Sequence, residues 1–397
     1  MKDQLDPTLN FNNTEIAFSY KSNKELIHTY RLFQFMNKPT LVKLGTYFGQ
    51  LASQLPFGIA DPIIRETIFK QFCGGISLLE CQKVIDRLNL KKTLTILDYG
   101  VEAKEVDEEF RKTLDENLKA IEFAYSNSNV PVISTKLTGY IPIAVLEKIH
   151  AGETLNQAEQ IKFERLEERF AILCKKAYEM GVSIFVDAEE SWIQKPIDDL
   201  VNKYMALYNK EKPIIYNTYQ MYLSDRLEAL ELQFEQAQQH HFILGAKTVR
   251  GAYLDKERKR AQSKNYKDPT NANKEKTDED YNKAIAFCLN NPDQISICNS
   301  SHNWASNLYM TELMDQKKIA KDHPHLNFCQ LFGMSDNITF NLAAKGYNVA
   351  KYLPYGPIKD VIPYLIRRAQ ENTSVTGDMS RELQLLTTEM KRRGLIS

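Results

Sequence analysis

The chain has 397 residues, 43% of them hydrophobic and 26% charged, and its 51 basic and 51 acidic side chains cancel to zero net charge. That length buries a large core, either as one big α/β domain or as a domain with an extension. Balanced charge argues against nucleic acid as a partner, because phosphate binding needs a clustered cationic surface.

The first residues, Met1-Lys2-Asp3-Gln4, show neither a cationic-then-apolar leader nor an Arg-rich transit signal. No stretch approaches the ~18 uninterrupted apolar residues of a spanning helix. The expectation is a cytoplasmic protein, peripheral on the inner membrane at most. From residue 24 to 90 apolar positions recur at helical spacing, as at Leu26, Tyr30 and Phe33 and again at Leu41, Leu44 and Phe48. Residues 1–90 therefore read as an N-terminal helical extension.

From residue 91 the rhythm changes. Short β-prone runs alternate with longer amphipathic stretches, the pattern of a parallel α/β fold. The runs are Leu94–Leu97, Val130–Ser134, Val182–Val186, Pro213–Tyr216, Phe242–Val249, Gln294–Cys298, Leu326–Gln330 and Asn348–Leu353. Leu155–Met180 and Ser224–Gln239 are typical of the helical stretches between them. Eight βα repeats over about 280 residues fit a (β/α)8 barrel of the TIM type, spanning 91–397. An open doubly wound sheet is the alternative.

One biased stretch, Lys256–Asn282, follows the fifth run and reads as a short helix and an ordered loop leading into Ala284–Leu289. Its basic run Lys256–Arg260, broken by Glu257, reads as a solvated helix face. Six cysteines, Cys73, Cys81, Cys174, Cys288, Cys298 and Cys329, contain no CxxC pair. They fit reduced thiols in a core better than a disulfide or zinc framework.

Barrel enzymes work at the C-terminal ends of their strands. The residues there are Asp98, Lys136, Asp187 with Glu189, Gln220, Lys247 with Arg250, Asn299 with His302, Gln330 and Tyr352. So many polar ends on one mouth favour a site, although each has a plain structural reading. Asp187 equally suits a cap for the following helix, and His302 a loop or core histidine. His240, His241, His323 and His325 have no carboxylate at ligand spacing and read as surface. Trp192 and Trp304 suit an aromatic wall or ordinary packing.

The last repeat is more specific. Tyr352 through Pro357 ends a strand, turns, and starts a helix at proline. That helix carries Ile362, Leu365, Ile366 and Ala369 on one side, and Arg367, Arg368 and Glu371 besides. Such an arginine pair is usually an exposed, salt-bridged face. Beside a barrel mouth, paired guanidiniums instead grip a carboxylate in bidentate fashion. There is no GxGxxG, and glycines number only 16, so a Rossmann domain is disfavoured and a dinucleotide would bind the barrel itself.

Four motifs together resemble the proline dehydrogenase family, its eukaryotic-type monofunctional branch more than the barrel of the bifunctional bacterial proteins. They are Phe185-Val186-Asp187-Ala188-Glu189-Glu190, Asn217 through Leu223, Val249-Arg250-Gly251-Ala252-Tyr253-Leu254, and Tyr352 through Gly356 followed by Tyr364-Leu365-x-Arg367-Arg368-x-x-Glu371-Asn372. Ile96 through Gly100, Ser134 through Thr138 and Gln330 through Met334 add to the match, which runs from residue 10 to 393.

The resemblance implies noncovalent FAD across the barrel mouth and L-proline as substrate. It implies hydride transfer from the ring carbon next to nitrogen, Δ1-pyrroline-5-carboxylate as product, and a quinone as electron acceptor at a membrane surface. By motif position, Lys136, Arg367 and Arg368 bind the proline carboxylate, and Tyr352 and Tyr253 wall the ring. Asp187 and Lys247 take the family's acidic and basic positions beside the flavin. Gln220, Lys247, Arg250, Gly251, Ala252, Ser301 and His302 fall where the family binds FAD. Two departures stand out: Lys247 replaces the arginine of many bacterial members, and Ser300-Ser301 stands where Ala-Thr is commoner. A methylenetetrahydrofolate reductase-like flavin barrel would need an NADH site but not the arginine pair. A barrel without catalysis, acting as a scaffold, would not need charges at nearly every strand end.

Overall fold

Eight parallel strands close into a barrel in chain order: β1 (Leu94–Tyr99), β2 (Val132–Thr135), β3 (Ser183–Val186), β4 (Ile215–Gln220), β5 (Leu244–Val249), β6 (Ile295–Ser300), β7 (Leu326–Leu331) and β8 (Val349–Tyr355). This computed structural model describes residues 9–37, 61–100, 105–371 and 378–397. Strands of a parallel barrel are covered on both faces, so their sequences are apolar runs rather than alternating ones. Ile184, Phe185 and Val186 of β3 are all buried accordingly.

Helices separate the strands, and their ends are written in the sequence. The helix Gln157–Met180 starts at a capping box between Asn156 and Glu159 and stops at Gly181, whose φ of 66° is the left-handed stop. The polar stretch after β5 forms two helices, Leu254–Lys264 and Lys274–Asn290, with a loop between them. Lys256, Arg258 and Lys259 face solvent as expected, but Glu257 points inward and is fully buried. All six cysteines are buried free thiols. Among the described residues, no helix is long and apolar enough to cross a membrane.

Six strands outrun the apolar runs that announce them, β4 the furthest. β4 continues to Gln220 because Asn217–Gln220 pair with Ala246–Val249 of β5. β8 continues to Tyr355, which forms a parallel bridge with Gly75, so Tyr352 lies within the strand rather than at its end.

The chain packs as two compact units, residues 96–329 and residues 1–95 with 330–397. In the second unit the described N-terminal helices are Thr14–Phe18, Asn23–Met36, a run from Asp61 to Phe72 containing a π turn, and Leu78–Asn89. Leu41, Leu44 and Phe48 lie outside the described residues. The core of this unit joins both ends of the chain: Phe18, Leu26 and Phe33 cluster with Val361, Leu386 and Met390. It also encloses an ionic group. Lys351, fully buried on β8, donates to the Met334 carbonyl (2.5 Å) and pairs with Asp336 (2.9 Å), which also accepts from the Tyr20 hydroxyl (2.6 Å). Burial alone would raise the Asp336 carboxyl, but Lys351 and Lys21 beside it hold it below the usual range. Glu382 accepts from the Ser335 N–H (2.5 Å), and burial together with Asp336 pushes its carboxyl up to about 7.

Candidate active site

The unit of residues 96–329 brings three of the expected residues together. Lys136 directly follows β2, Asp187 directly follows β3, and Lys247 lies in β5, level with Thr218 on β4 and Cys298 on β6. Asp187 Oδ1 accepts from Lys247 Nζ (2.5 Å) and Ser134 Oγ (3.0 Å), while Oδ2 accepts from Lys136 Nζ (3.1 Å). The ammonium of Lys247 also lies 5.7 Å from the Phe185 ring centre. The capping reading of Asp187 fails on this geometry: the next helix, Ser191–Tyr208, begins after Glu190 with no side-chain cap. Two ammoniums share one carboxylate, so the cluster brings positive charge to the strand ends. At a largely dry site that charge favours an anion.

A second group surrounds the loop after β5. Gln220, the last residue of β4, donates to the Glu189 carbonyl (2.6 Å) and accepts from the Ala252 N–H (3.3 Å). Gly251 has φ of 128°, and a Cβ there would fall 1.6 Å from the Tyr222 ring, so only glycine fits. Tyr222 is held in place because its hydroxyl donates to Glu257 (3.3 Å), which also accepts from the Ser191 N–H and hydroxyl (2.7 and 2.6 Å). Arg250 lays its guanidinium 4.3 Å from the Tyr281 ring centre and donates to Asp278 (2.7 Å), Ser301 (2.7 Å) and Ser306 (2.9 Å). His302 is half-buried next to Ser301.

The remaining expected residues belong to the unit of residues 1–95 and 330–397. Tyr352 is buried within β8, and its carbonyl accepts from the Phe332 N–H (2.8 Å). Arg368 is 7% exposed, with its guanidinium 5.1 Å from the Tyr364 ring centre, and Arg367 is half-buried. An exposed salt-bridged face does not describe Arg368. Ile362 and Leu365 of the same helix are buried. The side chains of Ala369 and Glu371, and Asn372 altogether, lie outside the described residues.

Glu189 was given no role by its sequence position. Its buried carboxyl accepts from the Thr138 N–H (3.1 Å) and hydroxyl (2.5 Å), and burial pushes it up to about 7 against those bonds. Trp192 is covered by the Arg260 guanidinium, 4.5 Å from its ring centre, whereas Trp304 is exposed.

The family model described as proline dehydrogenase matches residues 81–381. "Proline dehydrogenase 1, mitochondrial" of Dictyostelium discoideum is 34% identical, covering 98% of this chain and 77% of that protein. "Carbapenem antibiotics biosynthesis protein CarD" of Pectobacterium carotovorum subsp. carotovorum is 30% identical, covering 96% of each. Among solved structures, proline utilization A (PutA) from Bdellovibrio bacteriovorus, inactivated by N-propargylglycine, superposes with a TM-score of 0.72 at 22% identity. That match covers 94% of this chain but only 40% of PutA, and at such identity it speaks for the shared barrel. A family match over most of the chain and 34% identity to a named member over nearly the whole chain lead to one assignment: the chain belongs to the proline dehydrogenase family, flavin-dependent oxidoreductases of proline catabolism.

Proposed function

We propose that this chain oxidises L-proline to Δ1-pyrroline-5-carboxylate with noncovalently bound FAD, and that the electrons pass to a quinone. The observation that carries the reading is the Lys136–Asp187–Lys247 cluster, two ammoniums brought onto one carboxylate by three barrel strands. The residues around it suit the cofactor. Gly251 seats the loop against the Tyr222 ring, and Gln220, Arg250, Ser301 and His302 offer donors and acceptors fit for a phosphate or an isoalloxazine edge. Bound FAD supplies the two-electron acceptor for the hydride.

The protein's own groups do the rest. Lys136 anchors the substrate carboxylate, holding the ring in one orientation and so removing entropy from the barrier. Arg367 and Arg368 take the same role by motif. Tyr352 and Tyr253 wall the ring. Lys247 places an ammonium where negative charge grows in the transition state. Asp187 fixes both lysines by accepting from each. The two ammoniums lower the pKa of the substrate amine, favouring the neutral form whose lone pair expels hydride.

Anaerobic addition of L-proline to the flavin-loaded protein should bleach its flavin absorbance, and N-propargylglycine should inactivate it. Bleaching by NADH but not by proline would point instead to a folate-reductase-like barrel. A protein that stays colourless after FAD addition would be a scaffold. A cytoplasmic location with peripheral contact at the inner membrane completes the proposal. Co-sedimentation with quinone-containing vesicles tests it.

A further inference from the structure

Glu189 lies two residues past Asp187, and its main-chain groups are both committed. Its N–H donates to Gln194 (2.8 Å), and its carbonyl accepts from Gln220 (2.6 Å). Its carboxyl reaches back to the turn after β2, taking both the N–H and the hydroxyl of Thr138. That turn, Leu137–Gly139, is a single 3-10 turn whose N-cap residue is Lys136. One acidic side chain thus ties the segment carrying Lys136 to the segment carrying Asp187. Through Gln220 it also connects to the Gly251–Ala252 loop.

A buried carboxyl is costly unless its bonds are good. A threonine turn alone would be satisfied by neutral acceptors, so a charge-capable group here asks for a reason. The charged groups acting on it are Glu190, itself paired with Lys256 (2.9 Å), and Lys136.

We propose that Glu189 is a positioning residue: by holding the Thr138 turn, it sets where the Lys136 ammonium stands relative to Asp187, and so sets affinity for the substrate carboxylate. The proposal rests on the reading that Lys136 binds that carboxylate. Protonating Glu189 removes the full negative charge that Thr138 N–H and Lys136 both feel, so affinity for proline becomes pH-dependent. The carboxyl, raised to about 7, places that change near neutrality.

The test uses the flavin-loaded full chain, with proline varied from pH 6 to 9. Glu189→Ala should raise the KM for proline about 10- to 100-fold through misplacement of Lys136, with a much smaller change in kcat. Glu189→Gln still accepts from the Thr138 N–H and can donate to its hydroxyl. It should recover most of the lost affinity while abolishing the inflection of kcat/KM near pH 7. Lys136→Met separates the two ideas. Wild-type proline affinity in that variant sinks the carboxylate reading, and the positioning role with it. Lost affinity there, beside an unchanged KM in Glu189→Ala, overturns the positioning role alone. If Glu189→Ala does not fold, Glu189→Gln decides, and a retained inflection near pH 7 overturns the proposal.

Discussion

Replacing Asp187 with alanine should expose how much the lysine pair depends on its shared counterion. The carboxylate accepts from Lys247 at 2.5 Å and Lys136 at 3.1 Å, with side-chain exposures of 7% and 19%, and is itself 14% exposed. Removing one partner of a buried pair costs about 3–5 kcal/mol, and the partial exposure here sets the expectation near ~3 kcal/mol. Because Asp187→Ala removes the acceptor that Lys136 and Lys247 share, adding Lys136→Met should relieve repulsion between them. The double variant should then be less destabilised than the sum of the singles by about 1 kcal/mol or more. Asp187→Asn keeps an acceptor and should lie between alanine and wild type. Guanidinium unfolding of the flavin-loaded protein, followed by far-UV circular dichroism, measures all four. A loss below ~1 kcal/mol in Asp187→Ala, with strict additivity in the double variant, would mean the cluster is screened like a surface pair, and the argument for a dry ionic site would fail.

Three further outcomes are expected. Lys247→Met should slow flavin reduction more than it weakens proline binding, since its charge serves the transition state; single-turnover bleaching at wild-type rate would refute that role. Arg367→Met and Arg368→Met should each raise the proline dissociation constant, by roughly 2–5 kcal/mol in free energy, while folding persists; a proline titration of flavin reduction giving near-wild-type affinity in both removes the carboxylate clamp. Glu382→Gln should stabilise the protein at pH 8 but hardly at pH 4. The folded carboxyl titrates near 7 against an ordinary value of 4.5, so the native state holds its proton more tightly and wild-type stability falls as pH rises through 7. The gain is up to about 3 kcal/mol, and parallel pH profiles of unfolding for the two proteins would contradict it.

The barrel was legible because strands covered on both faces must be apolar along their length, and all eight runs coincide with strands. The end of β4 was hidden because its last residues are polar yet buried: Asn217 donates to Asp198, and Thr218 to the Val186 carbonyl. Local pattern cannot distinguish such satisfied groups from a loop. Lys136, Asp187 and Lys247 were legible as charges at strand ends, but only tertiary geometry separates a shared counterion from a helix cap. Glu189 and Glu257 were not legible as inward-facing groups. Glu257 sits in a basic run that reads as a solvated face and Glu189 reads only as one polar strand end among many, and their partners, Thr138 for Glu189 and Ser191 with Tyr222 for Glu257, are distant in sequence. Lys351 left a fainter signal. A lysine inside the run Val349-Ala350-Lys351-Tyr352-Leu353 demands a buried partner, but nothing in the run names Asp336.

The compact unit built from both chain ends has a consequence for biosynthesis. Phe18, Leu26 and Phe33 leave the ribosome more than 300 residues before Val361, Leu386 and Met390, which cluster with them. Arg393 even donates to the carbonyls of Phe18 and Lys21. At 5–20 residues per second, synthesis of residues 96–329 alone imposes a wait of roughly 10–50 s, during which the apolar face of the first helices lacks its native cover. Nascent chains stalled before residue 349 should therefore bind a hydrophobic-surface chaperone through the helix Asn23–Met36, and released chains that contain residues 361–390 should not.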